Sequence, residues 1–345
     1  MNGGAGRHRR TMTDVNTVKM GTAGIDISCA FAPSSSTPDH IVVAEQLGYQ
    51  RAWCYDSPAL YPDVWMVLAL TAVRTSRIGL GPAVLIPSLR HPMVSAAAAA
   101  GLADLAPGRV AVAIGAGFTG RYTIGQPPMR WADVAAYIRA LRGLLRGEEV
   151  LWDGALAKML ERKPVDVPLL VGADGPKGRA VAAELGDGVL GSGLPPTGDD
   201  LPAWRGVLTF GTVLGPDEAL TDERVMDAAG HAVAVAYHGA WERRGAGGVD
   251  RLPGGRLWRE AIEQIAPERR HLAVHEGHLS RVTDRDLPAV RAGIELLPKM
   301  SLTGTPAQLR DRIARFQQDG VTEVLYQPAG RDIPGELERF IAAVR

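Results

Sequence analysis

The segment from Arg77 to Gly117, RIGLGPAVLIPSLRHPMVSAAAAAGLADLAPGRVAVAIGAG, constrains the fold more than any other part of the chain. An apolar strand runs into a Gly-Pro kink. A Pro-started, Ala-rich helix follows, then a tight Pro-Gly turn and a second apolar strand that ends in glycines. Strand, helix, strand in that order is a βαβ unit. Both strands are apolar on both faces, which calls for a parallel sheet covered on each side.

The same rhythm recurs along the chain. Strands are expected at 24–30, 51–56, 77–86, 109–116, 169–173, 188–190, 207–214 and 322–327. Helices are expected at 37–47, with Thr37 as N-cap and Pro38 at its first position, and at 62–74, 92–105, 131–146, 176–185, 222–243, 306–318 and 334–344. The 131–146 helix carries one apolar face through Ala135, Ile138, Leu141, Leu144 and Leu145. Gly48, Gly186 and Gly320 each close a helix before a strand, as glycine C-caps do. The stretch 245–255 reads as a mobile glycine-rich connection, and 257–265 and 271–278 take no firm assignment. Eight strands, each followed by helical matter, spell a (β/α)8 TIM barrel, an α/β fold with an insertion at about 194–301, before the last barrel unit. A doubly wound open sheet loses because no GxGxxG opens a helix after the first strand. The expected organisation is a disordered extension over 1–22 and one barrel domain over 23–345.

Composition narrows the function. The 345 residues are 46% hydrophobic, enough for a large core, and the formal net charge is zero. With no dense basic run beyond the N-terminal tail, nucleic acid and acidic membrane surfaces are poor partners. No apolar run is long enough to span a bilayer, and the polar opening residues lack a signal core. Cys29 and Cys54 lie in apolar strand patterns and read as buried thiols in a reducing cytoplasm.

In such barrels, function gathers at the C-terminal ends of the strands. VGADGPKG, from Val171 to Gly178, leads a strand into a Pro-started helix through small residues. Its unpaired N–H groups and the helix dipole suit a phosphate, or the segment is an ordinary βα turn. GSG at 191–193 is the neighbouring contact. The mid-strand Gly-Pro before Ala83 and Val84 is a bulge, or a strained backbone that supports a flat ring. Asp56 ends the second strand, where an acid can bond a ring or substrate or cap the next helix, and Ser57 can donate a hydrogen bond. His91 reads as a helix N-terminal or packing residue. HEGH, from His275 to His278, lacks the i, i+4 spacing of HExxH, and no Cys or His cluster completes it, so no metal is expected.

These segments together resemble the bacterial luciferase-like oxidoreductase superfamily. TSRIGLGPAVLIPSLRHP, LAPGR, a strand ending GAG, VGADGPK and ELGDGV are most similar to its coenzyme F420-dependent branch, typified by methylenetetrahydromethanopterin reductase. The likeness covers about 24–193 well and 303–345 moderately. It implies a barrel whose mouth binds a deazaflavin or flavin, with a non-prolyl cis peptide at Ala83-Val84 bulging against the ring. It implies phosphate binding by the backbone of Gly172, Ala173, Asp174 and Gly175 and by the loop of Gly191 and Ser192. Gly115 and Gly117, at the fourth strand end, join the cofactor-binding positions. The sugar-phosphate dehydrogenase branch carries Asp-His after strand two and Glu after strand four. Here the pair is Asp56-Ser57, and the later position is Phe118 or Thr119. The reductase branch shares Asp63-Val64.

The leading expectation is a cytoplasmic homodimer that moves a hydride between F420 and a small organic substrate, with C=N or C=C reduction favoured and Asp56 and Ser57 as catalytic residues. An FMN-dependent monooxygenase is the alternative. A cofactor-free barrel acting as a binding protein is the third reading.

Overall fold

A computed structural model describes residues 24–345; the extension expected over 1–22 lies outside the described residues. The parallel barrel strands are β1 (Asp26–Phe31), β2 (Arg51–Cys54), β3 (Gly79–Pro82) and β4 (Val112–Gly115). A small antiparallel hairpin follows, β5 (Val150–Trp152) with β6 (Ala155–Ala157). The barrel resumes with β7 (Leu169–Gly172), β8 (Gly188–Ser192), β9 (Trp204–Phe210) and β10 (Glu323–Gln327). The sheet runs β3-β2-β1-β10-β9-β8-β7-β4. Parallel bridges at Leu80–Val110 and Leu85–Ile114 join its two edges. Eight parallel strands therefore close into the TIM barrel that the apolar βαβ rhythm requires.

The outer helices are α1 (Thr37–Gln46), α2 (Val64–Ala72), α3 (Pro92–Leu105), the short α4 (Thr119–Tyr122), α5 (Trp131–Leu145) and α6 (Pro176–Leu185). Their starts follow from local chemistry. Asp63 Oδ1 accepts the Trp65 and Met66 N–H groups at the head of α2. His91 caps α3, its Nδ1 accepting the Met93 N–H at 3.1 Å, ahead of Pro92. The expected stripe of α5 is buried from Ala135 to Leu145. Gly48 and Gly320 take the left-handed conformation of a C-cap, with φ of 83° and 82°. Gly186 does not, with φ −88°; it is small because a Cβ there would meet the Ala182 and Gly188 carbonyls at 2.8 Å.

After β9 the chain leaves the barrel through α7 (Glu223–Ala229), α8 (His231–Val249), α9 (Gly255–Glu263), α10 (Arg270–Val274), α11 (Leu287–Ala292) and α12 (Leu297–Met300). It returns through α13 (Pro306–Gln318), opened by a Thr305/Gln308 capping box, and closes with α14 (Ile333–Val344). The single helix expected over 222–243 is two, divided at Gly230. The expected glycine-rich connection is instead the kinked end of α8, bent at Gly245, followed by the start of α9. The apolar stripe through Val225, Ala229, Ala232 and Val233 continues across Gly230 and hides the first break, whereas the glycines at 245, 247 and 248 mask the helical end of α8. The seventh barrel strand starts at Trp204, earlier than the expected 207, and the β5–β6 hairpin stands where the pattern predicts no strand.

Three apolar cores divide the molecule. The largest lies between sheet and helices. A second, around Tyr237 and Trp258, belongs to the α7–α12 excursion. The third fills the barrel interior with Trp53, Tyr55, Leu170, Leu190 and Leu325. The barrel floor is polar: Glu323 accepts from the indoles of Trp53 at 3.0 Å and Trp204 at 2.6 Å, with Arg51 over both rings. Cys29 and Cys54 are buried and free, and burial pushes the Cys54 thiol up to about 12. No helix among the described residues is long and apolar enough to cross a membrane.

Candidate active site at the barrel mouth

The Ala83-Val84 peptide is cis, as the resemblance implies. It follows β3 at the C-terminal end of the barrel. Ala83 is buried and Val84 is half-buried. Val84 is seated between two strand ends that carry no side chain. A Cβ on Gly115, at the end of β4, would lie 2.8 Å from Val84 Cγ2, and one on Gly172, at the end of β7, would lie 2.4 Å from Cγ1. Gly117 performs the same service for Ile86, at 2.7 Å. These glycines thus make room for the bulge.

Asp56 follows β2 and its side chain is 1% exposed. Its Oδ2 accepts from Arg90 Nη1 at 2.6 Å and from the Ile86 N–H at 3.2 Å. Arg90 Nη2 also reaches Asp63 Oδ2 at 2.7 Å. One guanidinium therefore ties the β2 exit, the head of α2 and the segment beyond the bulge. Burial pushes the Asp56 carboxyl up, against the pull of Arg90. At the more open Asp63, burial also raises, but Arg90 and the helix N–H groups outweigh it and hold the carboxyl below its usual range. Ser57 is buried and packs against α4, where a Cβ on Gly120 would meet its Oγ at 3.1 Å.

The loop after β7 enters α6 with Gly175 as N-cap and no side-chain cap. Nothing stands within 4 Å of a Cβ built on Gly175, and the helix opens with Pro176 at its first position and no side chain capping its N-terminal N–H groups. The Ser192 N–H donates to Asp174 Oδ1 at 2.7 Å, and a Cβ on Gly191 would strike the Leu194 carbonyl at 2.2 Å. The Ser192 N–H is engaged while its side chain is exposed, and Gly175 has open space on its side-chain face.

The segment 275–279 crosses the mouth. Tyr61 donates its hydroxyl to the His278 carbonyl, and Gln327 its amide to that of Leu279; Tyr55 in turn donates to Gln327 Oε1 at 2.7 Å. His278 Nε2 and Thr119 Oγ1 share a hydrogen bond of 3.0 Å. Thr119 is half-exposed at the β4 exit, so strands two, four and ten all meet the excursion here. Burial and the neighbouring imidazoles hold His278 well below the usual histidine range.

The family model of the luciferase-like monooxygenases matches residues 15–323. The chain belongs to that family. It is an oxidoreductase by that membership, and its relatives agree. A 5,10-methylenetetrahydromethanopterin reductase of Archaeoglobus fulgidus is 27% identical over 85% of this chain and 90% of its own length. An F420-dependent glucose-6-phosphate dehydrogenase of Beutenbergia cavernae is 35% identical over 44% of this chain and 50% of its own. Among solved structures, the coenzyme F420-dependent tetrahydromethanopterin reductase of Methanopyrus kandleri shares the fold at a TM-score of 0.63 and 20% identity, covering 93% of this chain and 99% of its own.

Within this luciferase-like chain, the sequence reading brought Asp56, Ser57, Ala83, Val84, Gly115, Gly172 and Gly175 to one end of the barrel. The sequence carries no functional signal for Arg90 or Tyr61, and it marks His278 only as part of HEGH, not as the partner of Thr119. RHP marks Arg90 only as the residue before a helix cap, and its two carboxylate partners lie 34 and 27 residues away.

Proposed function

We propose that this protein binds coenzyme F420 at the barrel mouth and catalyses hydride transfer to a small organic substrate, with reduction of a C=N or C=C bond favoured. One observation carries the reading: a bulge at Ala83-Val84, cleared by Gly115 and Gly172, stands beside the open helix start at Gly175. A flat ring would have a platform there, and a phosphate would meet the N–H groups of Gly175, Lys177 and Gly178 around Pro176 at the positive end of the helix. The F420-dependent relatives support the same cofactor.

When bound, F420 supplies the hydride from its deazaflavin ring. The chain supplies position. Val84 would support the ring, and the N–H groups of Gly175 and the first turn of α6 would take the phosphate. Asp56 is a positioning residue, since its carboxylate is used by Arg90 and the Ile86 N–H. The hydroxyls of Ser57 and Thr119 are the polar groups at the β2 and β4 exits that would meet substrate. Buried free cysteines accord with a cytoplasmic setting, and a homodimer is the expected assembly for such a barrel.

The full-length chain, freed of cofactor, would be titrated with F420 and separately with FMN while fluorescence quenching is followed. Saturable quenching of F420 with weaker or no FMN binding is the expected result. Binding of FMN alone would move the assignment to a flavin monooxygenase, and binding of neither would leave the barrel without its cofactor.

A further inference from the structure

Three histidines the hydride chemistry does not use meet inside the excursion. His238 lies on α8, and His275 and His278 lie in the HEGH segment after α10. They are 1%, 0% and 6% exposed. One ring nitrogen from each stands within 4.8 Å of the other two. The ring centroids form a nearly equilateral triangle, at 5.4 Å for His238–His275, 5.2 Å for His238–His278 and 5.1 Å for His275–His278.

The outward nitrogens identify the inward ones. His275 Nε2 lies 3.2 Å from Glu242 Oε1. A carboxylate only accepts, so in the neutral ring Nε2 carries the proton and Nδ1 keeps its lone pair. That Nδ1 is buried and has no partner. His278 Nε2 is held by Thr119 Oγ1. His238 Nε2 points toward Asp286 Oδ1, 3.9 Å away, and is itself buried and unpartnered. The Nδ1 atoms of His238 and His278 face each other at 2.9 Å. His275 Nδ1 is thus free, the Nδ1 atoms of His238 and His278 share one proton between them, and each Nε2 lies beside an oxygen.

We propose that His238, His275 and His278 bind one divalent cation of the zinc class through their Nδ1 atoms, with Glu242, Asp286 and Thr119 orienting the rings. Three neutral imidazoles backed by oxygen acceptors are the donor set zinc takes, with a fourth position left for water or another oxygen ligand. The geometry is close to that of a tetrahedral site. Zn–N bonds of about 2.0 Å place ligand nitrogens about 3.3 Å apart and ring centroids about 5 Å apart. The rings already have that spacing, and the 2.9 Å pair opens by only a few tenths of an ångström. No net proton is released. The ring that donates across the His238–His278 contact shifts its proton from Nδ1 to Nε2, where Asp286 or Thr119 accepts it. The buried lone pair of His275 gains the partner it lacks, which removes a desolvation cost. The ion would pin α8 to the 275–279 segment that crosses the barrel mouth.

The test uses the full-length chain without a polyhistidine tag and without F420, so that it is independent of the cofactor assignment. Metal content is measured on the purified protein, and the chelator-treated protein is titrated with Zn²⁺ and with Co²⁺. One equivalent per chain, visible Co²⁺ bands of a four-coordinate site and a higher melting temperature with Zn²⁺ are expected. His275→Gln should abolish all three. Glu242→Gln, which leaves the ligands in place, should weaken Zn²⁺ by about 10–100-fold. His231→Gln, a buried histidine outside the triangle, should bind like the parent. If the parent chain takes up no more Zn²⁺ or Co²⁺ than His275→Gln, and its melting temperature ignores both ions, the site does not exist.

Discussion

A Cβ on Gly172 would stand 2.4 Å from Val84 Cγ1, so the end of β7 is bare because the side chain after β3 fills the space. The two residues are 88 positions apart in sequence yet set the shape of the barrel mouth together. Gly172→Ala should push Val84 off its seat. Overpacking of this kind costs about 1–3 kcal/mol and should weaken F420 binding. Adding Val84→Ala should restore stability. Urea denaturation and F420 titration of the three variants check this; an unaltered Gly172→Ala protein would remove the proposed role of the contact.

The Asp56–Arg90 pair gives a second expectation. Both side chains are largely buried, at 1% and 12% exposure. Asp56→Asn would leave the Arg90 charge short of its inner partner, a loss of about 3 kcal/mol for a buried pair. Unfolding by urea should show it, and Arg90→Met should cost a similar amount without adding to it in the double variant. If Asp56→Asn keeps full stability yet loses turnover at an unchanged substrate KM, Asp56 is a catalytic residue and not a strut.

The barrel was legible because its signal is local and repeated. Apolar strands, proline helix starts and glycine ends each fall within one βαβ unit, and eight of them fix the architecture. The mouth was legible only in part. Gly115 and Gly172 stand out as small residues at strand ends, but a small residue looks the same whether a ligand or a side chain needs the space. Here Val84 takes it. Ser192 reads as a phosphate contact for the same reason, whereas its N–H is already engaged by Asp174. HEGH shows two histidines with a spacing of three, and the partner that completes the triangle comes from α8, 37 residues upstream of His275. Arg90 likewise acquires its role only when α2, β2 and the bulge come together. Side-chain pairs across such separations leave no periodic trace.

Gly175 separates a ligand role from a packing role more cleanly than the other glycines. Its φ is −99°, ordinary for any residue, and a Cβ there meets nothing within 4 Å. Gly175→Ala should fold and bind F420 almost as the parent does. Gly175→Asp should fold equally well but place an anion at the start of α6, where the dipole and free N–H groups favour the phosphate. A rise in the F420 dissociation constant of about tenfold or more, equal to about 1.4 kcal/mol, is expected by fluorescence titration. Equal affinities for the two variants would move the phosphate elsewhere.

The acid limb of stability should report on a different place, the junction of β9, α7 and α14. Arg224 donates from Nε to Glu218 Oε1 at 2.5 Å and from Nη1 to Glu336 Oε1 at 2.7 Å, and Thr212 donates to Glu336 Oε2 at 2.5 Å. The Arg224 hydrogen bond lowers Glu218 from its ordinary 4.5 to about 2. Between those values the folded chain holds fewer protons on Glu218 than the unfolded chain does. The contribution is therefore complete above pH 4.5 and is lost as the pH falls through about 2. Glu218→Gln removes the titrating group, so its melting temperature should fall less steeply than the parent's across that window, while the two proteins keep a constant difference above it. Thermal melts at a series of pH values decide the point: parallel curves through the acid window would show that Glu218 has the same proton affinity in both states and that its bond to Arg224 contributes nothing to folding.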